Sequence, residues 1–187
     1  QEVVVVPMNP AIFADVQTVI PALVTKAPPR IGTIRGKLGC SCVVDLTFDR
    51  SEWTIKGQAS DGAVSIAIDH DAMRLTGVSM KQAVDLKMAW TPERILYQGT
   101  IGNLPARLLI DWNRGTLDGE LRGKAVKLTF SLENGKAEGT FGGVPVQFDL
   151  DKISGNMTGE LNNSGFELNL VNLDLSNVLQ HVYLFLK

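Results

Sequence analysis

The sequence predicts an all-β chain, an antiparallel meander of about fourteen short strands curled into a flattened barrel or sandwich, with short helical segments at its ends. Three observations carry that expectation. First, glycines recur at nearly one interval, at Gly36, Gly57, Gly77, Gly99, Gly119, Gly139 and Gly159, in steps of 21, 20, 22, 20, 20 and 20 residues, the mark of an internal repeat. Second, apolar or small side chains stand two residues before and after each glycine, as Leu117 and Leu121 do around Gly119, with polar Thr116, Asp118 and Glu120 between. A second apolar triplet follows, such as Val126, Leu128 and Phe130, so each repeat contains two half-buried strands. Third, turn-forming pairs lie between the strands, among them Asp61-Gly62, Asn134-Gly135 and Gly142-Gly143, where glycine and asparagine tolerate positive φ.

Three segments follow from this pattern: an arm over residues 1–30, a β-repeat domain over residues 31–175 and a closing segment over residues 176–187. In the arm, residues 2–6 read as an additional strand. Asn9-Pro10 then reads as a helix start, with Ile12, Val16, Val19, Ile20 and Leu23 on one helical face and Pro21 weakening or ending it. Ala27-Pro28-Pro29-Arg30 reads as a stiff connector.

Within the repeats, pairing consecutive strands as hairpins sets Gly119 opposite Leu128 and Leu128 opposite Gly139. The buried face then alternates glycine with a large residue, and the seven glycines are structural rather than ligand-contacting. A parallel solenoid would stack Arg35 over Lys56 and Asp118 over Glu138, so the meander is preferred, although its register places Glu160 opposite Glu167. At the C-terminus, Ser176 is a candidate cap for a short helix with Val178, Leu179, Val182 and Leu186 inward; the alternative is a final strand over residues 181–187. Either end is suited to covering the apolar face or a sheet edge.

The chain of 187 residues has a net charge of −2, which points to neither a nucleic-acid partner nor an acidic solvating chain. Its start at Gln1-Glu2 suits a chain released on export. Cys40 and Cys42 lie in Gly39-Cys40-Ser41-Cys42, where the first repeat carries one extra residue. They are either small residues in a bulge, a strained disulfide, or a weak redox or metal signal without a third ligand nearby.

No nucleophile elbow, zinc-protease helix, phosphate loop or paired CxxC motif is present. Asp69-His70-Asp71 reads as a solvated turn between repeats, and Asp118, Glu120, Glu138 and Glu160 as the wet face of the sheet. Lys26, Arg30, Arg35 and Lys37 form a basic stretch, read as a solvated connector. Trp53, Trp90 and Trp112 fall near strand ends, where core-edge packing accounts for them. No enzymatic role, cofactor or metal is expected. The leading expectation is an exported, periplasmic or cell-surface β-repeat scaffold that binds protein partners or its own copies through sheet edges and termini. The alternatives are a groove for lipid or another hydrophobic ligand and, less favoured, an outer-membrane barrel.

Overall fold

The computed structural model describes residues 28–39, 41–59 and 62–187, together with Val3–Val5 and Val19–Pro21. The last two form strands β1 and β2 and pair antiparallel, Val4 opposite Ile20. The β1 strand falls where a strand is expected. Val19 and Ile20, however, belong to β2 rather than to a helical face, consistent with the β preference of branched side chains. The rest of the expected N-terminal helix lies outside the described residues.

Fourteen further strands run in seven pairs. They are β3 (Ile31–Leu38) and β4 (Cys42–Asp49), β5 (Thr54–Ala59) and β6 (Gly62–Asp69), β7 (Arg74–Ser79) and β8 (Gln82–Thr91), and β9 (Arg94–Ile101) and β10 (Leu104–Asp111). The series continues with β11 (Thr116–Leu121) and β12 (Lys124–Ser131), β13 (Lys136–Phe141) and β14 (Val144–Leu150), and β15 (Asn156–Leu161) and β16 (Ser164–Val171). Each is antiparallel to its sequence neighbours, and β16 pairs with β3 to close the barrel.

The repeat fixes which side faces in. Alternate residues along each of the fourteen barrel strands are buried, so Leu117 and Leu121 of β11 and Val126 and Leu128 of β12 point into the lumen. Charged residues point out, and Arg35–Asp45 and Arg74–Asp85 form exposed ion pairs across neighbouring strands. Such exposed pairs contribute little stability.

That register differs from the expected one by two residues within each hairpin. Gly119 lies opposite Val126, not Leu128, and Leu128 lies opposite Leu117. The pairing of Leu128 with Gly139 is as expected. A two-residue slip preserves the buried face because side chains alternate with period two. It also removes the unfavourable acid pair: Glu167 faces Thr158 and Lys37, and Glu160 faces Gly165 and Gln147.

The glycines have a different physical reason from size alternation. A Cβ built on Gly119 would overlap the carbonyl oxygen of Arg107 on the preceding strand, and the other six meet an equivalent neighbouring carbonyl. The backbone itself closes the space. Gly57 adds a φ of +138°, a conformation that side chains disfavour. A recurrent glycine that bends each repeat at one level is a recognised way to curve a sheet into a barrel.

Replacing Gly57 by Ala is therefore expected to destabilise the barrel by roughly 2 to 4 kcal/mol, combining backbone strain with overlap at the Asp45 carbonyl. Gly143→Ala is the control: nothing lies within 4 Å of its Cβ position, although its φ is +79°, so a loss of about 1 kcal/mol is expected there. Denaturant midpoints measure both, and equal losses at the two sites would refute the carbonyl-contact explanation.

Candidate functional site

The two ends of the barrel are built from different turns. At one, the short-turn end, hairpins close with two residues in the left-handed region: Met80-Lys81, Gly102-Asn103, Arg122-Gly123, Gly142-Gly143 and Asn162-Asn163. These turns match the twist of the strands they join. At the other, the long-turn end, an aspartate closes each of several longer turns. Asp49, Asp69 and Asp151 each accept two backbone N–H bonds from the residues that follow, and Asp111 accepts one from Arg114. This places Asp69-His70-Asp71 in a turn, as expected, with His70 packed edge-on against Trp53 at 4.3 Å. Burial lowers the His70 pKa, opposed by Asp69 and Asp71.

The central feature is the lumen. After β16, Asn172 adopts a φ of +59° and turns the chain inward. Its side-chain amide donates to the Ile31 carbonyl, and its own carbonyl accepts from Arg50. Gly32 leaves room for the Leu173 side chain. Asp174 then caps helix α1 (Leu175–Gln180) by accepting from the Ser176 and Asn177 N–H groups, while the Asn177 side chain accepts from the Asp174 N–H. The cap is thus Asp174 rather than the expected Ser176. A 3-10 turn, Val182–Leu184, continues the path. Every residue from Leu175 to Leu186 is buried. The segment does cover the apolar face of the sheet, from within.

This plug crosses the barrel from end to end. At the short-turn end Arg122 donates to the carbonyls of Tyr183 and Leu186 and to the side chain of Gln82. Asn162 donates to the Phe185 carbonyl and accepts from the Lys187 N–H, and Lys124 donates to the Lys187 carbonyl. Arg122 does this from a left-handed backbone, φ +51°, a strain of about 1 kcal/mol that the latch offsets. Burial also pushes its guanidinium pKa down.

Midway, His181 Nδ1 lies 2.9 Å from the Tyr183 hydroxyl, and its ring packs edge-on against Phe48. Tyr97, on β9, is fully buried beside Tyr183, and burial raises both phenol pKa values. His181, Tyr97 and Tyr183 are all fully buried, so the cluster has the character of a core hydrogen-bond network.

The other singled-out residues separate. Cys42 begins β4, whereas Cys40, and with it the candidate disulfide, lies outside the described residues. Asp118, Glu120, Glu138 and Glu160 lie on the outer face, where Glu138 and Glu160 flank Gln147 and line one shallow groove with Lys127. Of the basic stretch, Arg30 pairs with Asp49 and Arg35 with Asp45, while Lys37 faces Glu167 across the β16–β3 ladder; Lys26 is outside the described residues. Arg30 and two backbone N–H groups hold the Asp49 carboxyl at a pKa of about 2. Trp53, Trp90 and Trp112 pack against the core at the long-turn end, Trp112 edge-on to Phe130 at 5.8 Å. Among the described residues no three His, Cys, Asp or Glu side chains are grouped to hold a metal ion, and no helix is long and apolar enough to cross a membrane.

Sequence reasoning missed Arg122, Asn162 and the Tyr97–Tyr183–His181 cluster. A bulky residue in the two-residue Arg122-Gly123 turn was the one local signal, since that turn favours Asn or Gly at both positions. No family model, curated protein or solved structure matches this chain.

Tyr97 and Tyr183 are the only two tyrosines of the chain, so tyrosinate absorbance reads this cluster alone. A phenol whose pKa is raised on folding contributes stability that is present below the unfolded value of about 10 and lost as pH rises above it. Absorbance is therefore expected to stay flat through pH 10 and to rise only together with loss of far-UV β signal. Titration near pH 10 in an intact barrel would show that the cluster is open to water.

Proposed function

We propose that this chain is a non-enzymatic, exported structural module that serves as a β-repeat scaffold in a protein assembly and acts through its outer surface. The observation that carries this reading is the occupancy of the lumen. The central inward row, Leu86, Leu108, Leu128 and Phe148, is 1% exposed at each position, because the plug lies against it. A carrier of hydrophobic ligands needs such a row accessible to its cargo. The charged outward face adds support, since exposed pairs such as Arg74–Asp85 suit contact with water and protein better than contact with acyl chains.

Closure of the sheet narrows the ways such a module makes contacts. The barrel itself has no unpaired strand edge, so strand addition falls to β1 and β2, and other contacts to turns and side chains. Residues 176–187 belong to the core, so their deletion would empty the lumen rather than trim a docking tail.

Native mass spectrometry of protein gently extracted from its source tests the reading. The bare polypeptide mass, alone or in complexes with protein, is expected. Stoichiometric bound lipid would overturn the scaffold in favour of a lipid carrier.

A further inference from the structure

The two mouths of the barrel are finished differently. At the short-turn mouth Arg122, Asn162 and Lys124 hold the plug by hydrogen bonds. The long-turn mouth is apolar. Among the described residues Trp53 and Met73 stand in its turns, Trp90 and Phe130 at strand ends, and Leu132 and Leu173 just beyond them, all packed against the core yet only partly buried. Trp112, 9% exposed, joins this rim. The indole Nε1 atoms of Trp90 and Trp112 are both buried without a hydrogen-bond partner, whereas buried donors are as a rule satisfied.

Exposed apolar side chains gather at one side of the same mouth. Ile153 is fully exposed, and Val171 and Ile31, 49% and 38% exposed, lie one diagonal step apart on the outer face of β16 and β3. Ile153 and Val171 also line a cleft of about 460 Å³, with Leu132 and Leu173 among its apolar residues and Lys152 and Asp174 as its charged ones. The N-terminal arm leaves the barrel here. Arg50 donates both to the Pro29 carbonyl and to the carbonyl of Asn172, itself a cleft residue, so the root of the arm is pinned to the cleft's edge.

We infer that the arm of this chain, residues 1–27, folds back over the long-turn mouth, where its apolar side chains cover the cleft and the tryptophan rim and its backbone carbonyls come within reach of the two indole donors. Its composition suits that seat: Val, Ile, Leu and Phe occupy eleven of these positions, against the three charges of Glu2, Asp15 and Lys26. A two-stranded ribbon such as β1–β2 is marginal in isolation and gains from packing on an apolar surface. A closed ring of fourteen strands is roughly 25 to 30 Å across, and residues 1–27 doubled back as a hairpin reach about 45 Å. Tethering at the mouth gives the arm an effective concentration on the order of millimolar there, which favours it over a second copy. Docking of the arm does not depend on the scaffold reading, and its failure would leave that reading standing.

Photo-cross-linking in the full chain tests the docking. Ile153→p-benzoylphenylalanine puts a probe beside the cleft, and Leu104→p-benzoylphenylalanine puts the same probe at the short-turn mouth, where Leu104 is 44% exposed. The probe at 153 is expected to label residues 1–27 within one chain, with a yield that does not change on dilution, and the probe at 104 to leave the arm unlabelled. The chain's only three tryptophans, Trp53, Trp90 and Trp112, all stand at the long-turn mouth, so their fluorescence reads the same contact. A variant carrying Val4→Asp, Phe13→Asp and Ile20→Asp together alters the arm and none of the fourteen barrel strands. It is expected to lose the cross-link and to expose the tryptophans to acrylamide quenching, with the far-UV β signal unchanged. No labelling of the arm from position 153, equal labelling from both mouths, cross-links only between chains, or quenching unchanged in the triple variant would each overturn the docking.

Discussion

A closed sheet of fourteen strands encloses more volume than its own inward side chains can fill. About eight strands is the size at which side chains just meet across a lumen, and barrels of sixteen or more leave a channel. Water in the gap would leave apolar walls wetted, and an empty gap would forgo the dispersion contacts that close packing provides. The plug meets this constraint: Leu175, Val178, Leu179, Val182, Leu184, Phe185 and Leu186 fill the lumen from inside and are at most 1% exposed. The six-residue helix is too short to persist alone, so barrel and plug stabilise each other.

The devices at either end follow from the same demand. A chain that must turn into its own lumen needs a reversal, supplied by Asn172 in the left-handed region, and a satisfied helix start, supplied by the Asp174–Asn177 capping box. It also needs its far end held against sliding. Arg122, Asn162 and Lys124 supply that hold by bonding the backbone oxygens of Tyr183, Phe185, Leu186 and Lys187. A protein filled in this way presents its surface rather than a cavity.

Most of the barrel was legible in the sequence because its signals are periodic. The twenty-residue spacing of Gly36 to Gly159 and the alternation around them reveal strand number, strand order and the inward face. Register within each hairpin was not, because Leu128 opposite Gly119 or opposite Leu117 buries the same face, and only turn geometry separates the two. Two-residue turns such as Arg122-Gly123 set the pairing. The reason for the glycines was also hidden, since close approach of the Asp45 or Arg107 carbonyl is a property of the bent sheet and has no sequence motif. The plug was legible as a short apolar helix but not as the filling of the lumen: Val178, Leu179 and Val182 suggest one buried face, whereas Ser176, Asn177, Gln180 and His181 are buried as well. Polar residues buried on the remaining faces are intelligible only once walls surround the helix on all sides.

Amide hydrogen exchange over residues 175–186 tests the central claim most directly. A plug that is part of the core opens only when the barrel does, so its amides are expected to exchange as slowly as those of central strands such as β11 and β12. Rapid exchange of this segment while the strands stay protected would contradict the account, because it would show a barrel that stands without its filling.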